Sequence, residues 1–530
     1  MNREPCFARE SYVEILQKRI SGFLEGYRQN LAFIGDELVG KTLIIHKFLH
    51  SFYNNRVIPV YLEVRHESLS SFVQRFSAVL LYNFMSESGI PLQEDLTFLT
   101  AKSEKYIPKT VARIRAIVAA AAKRKKSNVF TELLSLCELI HEETGKHCVV
   151  IFDEFHNLEE IGFGSLYREW SKLLISQKST MYIITSSMQY RAKAILSKNL
   201  SLLFGNFEVV TVEPFDIRTS ERYLVQRMEG SVLDAAARNF IVHFTGGFPL
   251  YLEVIAGSLL KQGQANLVDI LEHMLFDSCG LLNQRFSNYI KRFQGLPHSS
   301  DYISILYLVA SGRNKIKDIC HLVKKQKHEI DVRINKLLEL DTVTRTGDFL
   351  KINDRVLGFW IRLVYQEKLR SLTFDARNQK MKFRDSIQAM INDFYAQAKK
   401  PLAERVTEVL RLFENETIQL ERKKVKLSHF REIKPLEFNN RSITQGLIGR
   451  SQDSLWILGF KHDLLTEHDI TEFSRECKKY RHKLQRKIII TLNDIDANTR
   501  LRAMEEKIWT WDVSRLNQFL DLFSKPWVVT

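Results

Sequence analysis

The segment Gly35-Asp36-Glu37-Leu38-Val39-Gly40-Lys41-Thr42 fits the pattern G-x-x-x-x-G-K-[ST] and constrains the fold more than any other part of the chain. An apolar run ending in glycine precedes it (residues 30–35, NLAFIG), and a helix-like stretch begins at Lys41. In a strand–loop–helix context the glycines let backbone N–H groups wrap a phosphate, and the helix dipole favours the bound negative charge. The expected nucleotide contacts are Gly35, Asp36, Glu37, Leu38, Val39, Gly40, Lys41, Thr42 and Leu43. In this arrangement Lys41 reaches the β- and γ-phosphates, and the Thr42 hydroxyl is a ligand for Mg²⁺. ATP and Mg²⁺ are therefore the expected cofactors.

Four further apolar runs follow: residues 57–64 (VIPVYLEV), 147–153 (HCVVIFD), 181–185 (MYIIT) and 207–212 (FEVVTV). Helical stretches separate them, which is the alternation of a parallel α/β sheet. Residues 68–145 read as largely helical, with Phe72, Phe76, Val79 and Leu80 at three- to four-residue spacing. The four alanines 119–122 precede Lys123, Arg124, Lys125 and Lys126, as expected of cations closing a helix. The run 147–153 ends in Asp153-Glu154. Asp153 falls within reach of the Mg²⁺ shell, and Glu154 is placed to polarise the attacking water as general base. The next run ends in Thr185-Ser186-Ser187, where Ser186 is the candidate for orienting water or the γ-phosphate.

A chain of 530 residues exceeds one ordinary core, so three or four units are expected. Its 45% hydrophobic and 26% charged residues exclude a disordered chain. No apolar run is long enough to cross a bilayer and the N-terminus (MNREPCFARES) lacks a hydrophobic signal core, so no membrane contact and a cytoplasmic location are expected. The cysteines at 6, 137, 148, 279, 320 and 477 form no C-x-x-C pair, so neither zinc nor disulfides are expected. The net charge of +15 argues for a polyanionic partner and says nothing of fold.

Beyond Pro214 the pattern turns helical to about residue 290, broken by a turn at 245–249 (TGGFP). Three short helical segments within 301–340 lead into 343–352 (VTRTGDFLKI), two short strands around a Thr-Gly-Asp turn, which suggests a winged helix-turn-helix. Its recognition helix would be 327–340, with Ile330, Ile334, Leu337 and Leu338 as core stripe. Lys327, His328, Arg333 and Lys336 then face outward, with Arg345 on the wing, as candidate DNA contacts. From about 375 the chain is basic and mixed, with helices near 381–413 and strand-like 454–460 (SLWILGF) and 487–492 (KIIITL). Basic clusters occur at Arg422-Lys423-Lys424-Val425-Lys426 and at Lys478-Lys479-Tyr480-Arg481-His482-Lys483 with Arg486-Lys487. Solvated faces explain these as well as DNA does.

Several of these motifs together resemble one family. Phe7-Ala8-Arg9-Glu10 resembles the phenylalanine–arginine–glutamate box that opens the archaeal-type ATPases of the AAA+/STAND group, and Asp153-Glu154-Phe155 resembles their second acidic motif. Thr245-Gly246-Gly247-Phe248-Pro249-Leu250 is similar to their lid turn, and Asn353-Asp354-Arg355-Val356-Leu357-Gly358-Phe359-Trp360 to the signature after their winged helix. The resemblance adds Arg9 and Pro249 to the nucleotide contacts. It implies a P-loop ATPase core (1–215), a helical lid (216–297), a winged helix-turn-helix (298–372) and a restriction-endonuclease-like C-terminal α/β domain (373–530).

Three departures bear on activity. Asp36 and Glu37 occupy variable loop positions where carboxylates repel a triphosphate, so their side chains should point outward. Asn206, in Leu203-Phe204-Gly205-Asn206, replaces the family's candidate arginine finger, with Arg191 and Arg222 as possible substitutes. A missing finger costs about 10³–10⁵ in hydrolysis rate, so slow turnover of ATP and water to ADP and phosphate is expected. Gly459-Phe460-Lys461 keeps the lysine of the nuclease motif without its carboxylate, with Asp463, Glu467 and Asp469 downstream, so nuclease activity is not expected. The resulting expectation is an ATP-binding switch that binds DNA through its winged helix and basic C-terminal domain. Two alternatives stay open: an ATP-dependent scaffold for protein partners or its own copies, and an ATP-regulated nuclease.

Overall fold

The computed structural model describes residues 7–86, 93–123, 128–200, 206–229, 233–262, 266–370, 375–420, 423–439, 442–480 and 483–529. It divides into two compact units, Met1–Pro214 and Phe215–Thr530.

The first unit is built on five strands: β1 (Asn30–Ile34), β2 (Val57–Glu63), β3 (His147–Asp153), β4 (Thr180–Ser186) and β5 (Phe207–Thr211). All pair in parallel, in the order β2-β3-β4-β1-β5. The apolar runs of β1, β3 and β4 are buried almost throughout, as strands covered on both faces must be. Helices Leu69–Met85, Leu96–Ser103, Pro108–Ala122 and Val129–Thr144 fill the span between β2 and β3. Phe76, Phe130 and Trp170 pack around Phe152 with ring centroids 5.8–6.5 Å apart. Each such buried ring contributes about 1.5–3 kcal/mol. Lys123 caps Pro108–Ala122, while Arg124, Lys125 and Lys126 lie outside the described residues.

Parallel pairing brings the C-terminal strand ends together. Ile34 is opposite Ser186 and Glu63 opposite Asp153, so the loop after β1, the carboxylates after β3 and the hydroxyls after β4 share one edge of the sheet. In open α/β sheets that edge is where ligands bind.

The second unit begins with helices Ile217–Arg227, Ala235–Thr245, Pro249–Gln262, Leu267–Leu275 and Leu281–Gln294. At the turn between the second and third, Gly247 has φ +79°, and a Cβ there would lie 2.0 Å from the Phe215 carbonyl oxygen, so only glycine fits. Three helices (Ser299–Ala310, Ile316–Val323, Lys327–Glu339) then lead into the antiparallel hairpin β6 (Val343–Thr346) and β7 (Phe349–Ile352). The motif at 353–360 forms a short helix, Arg355–Trp360, whose Asp354 cap accepts the Leu357 N–H at 3.0 Å. Trp360 Nε1 donates to Asn283 at 3.0 Å, and Tyr251 donates to Asp354.

After helices Ala376–Ala398 and Leu402–Leu410 comes a hairpin, β8 (Thr417–Leu420) and β9 (Lys423–Lys426), followed by a five-stranded mixed sheet. That sheet runs in sequence order through β10 (Glu432–Glu437), β11 (Gln445–Arg450), β12 (Leu455–Lys461), β13 (Leu484–Thr491) and β14 (Ile508–Trp511). Its first two pairings are antiparallel and its last two parallel. Alternate β12 residues serve two cores, Trp456 and Leu458 on one face, Leu455 and Ile457 on the other. Helix Val513–Leu522 carries Asp521, whose buried carboxylate accepts from Lys351 Nζ at 2.6 Å, Trp527 Nε1 at 2.6 Å, and Arg355.

Candidate functional site

The loop after β1 is shaped by backbone demands. A Cβ on Gly35 would lie 2.1 Å from the Val212 carbonyl oxygen, and Gly40, just before helix Lys41–Ser51, has φ +94°. Leu38 also adopts positive φ, +69°, and Val39 beside it is buried. Arg9 is buried and donates to the carbonyls of Val39 (2.9 Å) and Glu213 (2.8 Å). It braces the loop to the chain leaving β5, a supporting contact, whereas the family resemblance placed it at the nucleotide.

Lys41 is buried, and its ammonium donates to the carbonyls of Gly35 (2.9 Å) and Asp36 (2.8 Å), with Glu154 Oε1 at 3.9 Å. Burial lowers its pKa against the pull of Glu154, Asp153, Asp36 and Glu37. Asp36 Oδ1 accepts from Gln189 Nε2 at 2.8 Å, and Glu37 is half-buried. Leu43 is exposed.

The Asp153 carboxylate is fully subscribed. Oδ2 accepts from Thr42 Oγ1 at 2.7 Å and Tyr61 OH at 2.9 Å, and Oδ1 accepts from Thr185. Glu154 has φ +56°, which turns its side chain out of the strand direction. Its N–H donates to Thr185 Oγ1 at 3.1 Å, and its Oε2 accepts from Ser187 N–H (2.7 Å) and Ser187 Oγ (2.8 Å). Burial raises the Glu154 pKa, opposed by the Lys41 charge and the Ser187 hydrogen bonds.

Ser186 does not take the role expected of it. It is fully buried, and its hydroxyl bonds His156 Nδ1 at 2.9 Å and accepts the Met188 N–H at 3.1 Å. Side chains alternate along a strand, so Thr185 and Ser187 reach the carboxylates and Ser186 points elsewhere. His156 Nδ1 is 3.4 Å from Glu154 Oε2, and burial, with Arg191 and Lys41 nearby, pushes its pKa down to about 4. It is neutral at physiological pH.

Of the two substitute fingers, Arg191 is paired and Arg222 is exposed. Arg191 Nε donates to Glu159 at 2.9 Å, and Arg222 contacts Thr219 Oγ1 at 3.5 Å. Asn206 Nδ2 donates to the Leu200 carbonyl at 3.0 Å; Leu203, Phe204 and Gly205 lie outside the described residues. Pro249 is the first residue of its helix in the second unit, a position proline suits because no N–H is needed there.

The residues fit a magnesium nucleotide. Hard oxygen donors, the Thr42 hydroxyl and the Asp153 carboxylate, stand 2.7 Å apart beside a glycine loop that admits no Cβ at Gly35. Tyr61 was missed from sequence, and of the run Thr185-Ser186-Ser187 it is Thr185 and Ser187 that meet the carboxylates. Only the register of β2 against β3 identifies Tyr61.

Of the five expected DNA contacts, Lys327 and His328 are exposed. Arg333 is not outward-facing: Asp301, on helix Ser299–Ala310, accepts from its Nε at 3.2 Å. Lys336 pairs with Glu339 at 3.0 Å and Arg345 with Asp331 at 3.3 Å. Lys424 and Lys426 are exposed on β9, Arg486 stacks over Trp509 at 4.0 Å, and Arg422, Arg481 and His482 lie outside the described residues. Lys461 donates to Ser442 Oγ at 2.8 Å and is 3.4 Å from Asp469, while Asp463 and Glu467 are exposed.

No protein-family model matches the chain, and no curated protein does. Among solved structures it is similar to a Walker-type ATPase of Pyrococcus abyssi, 22% identical over 68% of this chain and 97% of that one, with TM-score 0.47. It is similar to the ORC2 protein of Aeropyrum pernix in ADPNP–ADP complexes, 12% identical over 70% and 97% of the two chains, with TM-score 0.40. A third is the ORC1 protein of Aeropyrum pernix in complex with DNA, 12% identical over 68% and 93%, with TM-score 0.33.

Proposed function

We propose that this chain is an ATP-binding, slowly hydrolysing switch of the archaeal-type AAA+/STAND kind. The observation that carries this reading is the pairing of Thr42 with Asp153 at 2.7 Å beside a Lys41 ammonium tethered to its own loop carbonyls. On nucleotide binding, Lys41 exchanges those carbonyls for β- and γ-phosphate oxygens, and the loop N–H groups take the rest. Thr42 and Asp153 would hold Mg²⁺, which supplies charge neutralisation on the phosphates. Glu154 accepts the proton of the attacking water at its carboxylate as the oxygen adds to the γ-phosphorus and ADP leaves with the bridging electrons. Its raised pKa makes it a better base, but Ser187 occupies one carboxylate oxygen with two hydrogen bonds. With Asn206 where a finger arginine is usual and Arg191 held by Glu159, slow hydrolysis follows.

Glu154→Gln is expected to bind ATP as the wild type does and to lose turnover by about 10²–10⁴, the usual worth of a general base. Equal turnover in the variant removes Glu154 from the role.

We read the three helices and hairpin of the second unit as a winged helix and the mixed sheet as a restriction-endonuclease-like domain, giving the divisions 216–297, 298–372 and 373–530. The nuclease motif is spent on structure: Asp469 accepts from Thr466 N–H at 2.9 Å and from Ser442, and lies beside Lys461. DNA contact rests on the +15 charge and on exposed Lys327, His328, Lys424 and Lys426. Binding to random duplex DNA should fall steeply with salt, at about −0.9 in log K per log salt for each phosphate neutralised. A flat response or no binding at low salt favours a scaffold for protein partners or for further copies of the chain, a reading to which the largely buried pairing of Arg333 with Asp301 lends support. A cytoplasmic location fits either outcome.

A further inference from the structure

The second unit contains a cavity of about 450 Å³ that the nucleotide reading leaves without a role. Its size falls within the roughly 300–1,000 Å³ of small-molecule sites. Helix Ala235–Thr245, strand β7, the turn Ile361–Tyr365, helix Ala376–Ala398 and the C-terminal stretch near Lys525 all line it. Four cations, Lys351, Arg355, Arg362 and Lys525, face two carboxylates, Asp393 and Asp521.

Most of these charges are accounted for. Asp521 is taken by Lys351 at 2.6 Å and by Arg355, which also stacks over Trp527 at 4.4 Å. His243 adds no charge: its Nδ1 accepts the Trp527 N–H at 3.2 Å and faces Arg355 at 3.1 Å, and burial drives its pKa well below the usual value. Asp393 is exposed.

Arg362 is different. It stands in a π-helical turn, a local widening of the helix often found at functional sites. Its Nε is buried without a hydrogen-bond partner. Among the described residues no ion pair forms at its guanidinium; its neighbours are the Phe359 ring at 5.9 Å and Tyr307. Burial lowers its pKa with no carboxylate to offset it. A cation withdrawn from water normally has its counter-charge within the protein. Among the described residues none pairs with the half-buried Arg362.

We propose that this cavity binds a small phosphate-bearing anion, with the Arg362 guanidinium gripping two of its oxygens and Lys351 and Lys525 adding positive potential. The planar guanidinium fork matches phosphate oxygens. The surplus of two cations matches a phosphate group of nearly two negative charges. The site is separate from the phosphate loop and holds whether or not that loop binds ATP.

The test uses the full chain carrying Lys41→Ala, titrated calorimetrically with pyrophosphate at constant ionic strength, with citrate in parallel. One saturable pyrophosphate site per chain is expected, weakened about tenfold or more by Arg362→Met, and a few-fold by Lys525→Glu, since charge-assisted pairs dominate such sites. Absence of saturable pyrophosphate binding, or equal affinity after Arg362→Met, overturns the proposal. If Arg362→Met loses the cooperative unfolding transition of its parent, Lys525→Glu decides, and unchanged affinity there overturns it. Tighter binding of citrate than of pyrophosphate overturns the phosphate assignment. A pyrophosphate site that Lys41→Ala abolishes and Arg362→Met leaves intact belongs to the nucleotide loop and contradicts this cavity alone.

Discussion

Lys41→Ala is expected to abolish measurable ATP binding while leaving the fold intact. The ammonium is buried among Glu154, Asp153, Asp36 and Glu37, and burial already lowers its pKa against their pull. Removing it leaves those four carboxylates facing a triphosphate with no opposing charge, besides deleting the direct phosphate contacts. Loss of a buried hydrogen-bonded charge partner typically costs 2–5 kcal/mol or more, about 30- to several-thousand-fold in affinity. The fold should survive because, among the described residues, Lys41 Nζ donates hydrogen bonds only to carbonyls of its own loop. Equilibrium binding of a fluorescent ATP analogue, alongside thermal unfolding, separates the two effects. Retained affinity would remove the loop from the site.

Asp521→Asn is expected to be strongly destabilising in the second unit. Asp521 joins helix Val513–Leu522 to Lys351 on β7, to Arg355 on the helix after it, and to Trp527. Its side chain is 7% exposed, so an amide there leaves Arg355 and Lys351 without their counter-charge. Breaking a buried pair by removing one partner costs about 3–5 kcal/mol. Burial alone would raise the Asp521 carboxyl, but the Arg355 and Lys351 charges outweigh it and hold it at about 2, below the usual 3.8. A depressed carboxylate contributes stability that is fully present above its unfolded pKa and lost as pH falls through the folded one. The contribution, on the order of 2–3 kcal/mol, should therefore disappear between about pH 4 and pH 2. Thermal unfolding of wild type and variant across that range checks both points. A variant as stable as the wild type at pH 7 contradicts the first, and a constant difference down to pH 2 contradicts the second.

The candidate site was legible because its parts are local. Residues 35–42 and the pair Asp153-Glu154 each declare themselves by spacing and by the apolar run before them. What could not be read is what tertiary pairing decides. Tyr61 reaches Asp153 only because Glu63 pairs with Asp153 in the register of β2 against β3. Arg333 looked solvent-facing by helical period, but Asp301, 32 positions earlier, meets it across the packed helices. Strands β8, β9, β10 and β11 escaped notice because they are short and carry many polar residues or glycines, and β14 because its apolar run is only four residues long. Glu432–Glu437 carries Pro435 on the sheet's edge strand, where its missing N–H costs nothing, and Gln445–Arg450 holds Gly446 and Gly449 beneath Phe438 and Phe430. The described part of the basic cluster at 422–426, residues 423–426, likewise falls on β9, a hairpin strand with Lys424 and Lys426 exposed and Val425 buried.

The most direct test is a titration of the wild-type chain with ATP in the presence of Mg²⁺, followed by single-turnover release of phosphate from the preformed complex. Saturation at one ATP per chain is predicted, with phosphate release far slower than the about 1–100 s⁻¹ typical of kinases. Failure to saturate at millimolar ATP, or release at rates within that range, would contradict a slow nucleotide switch.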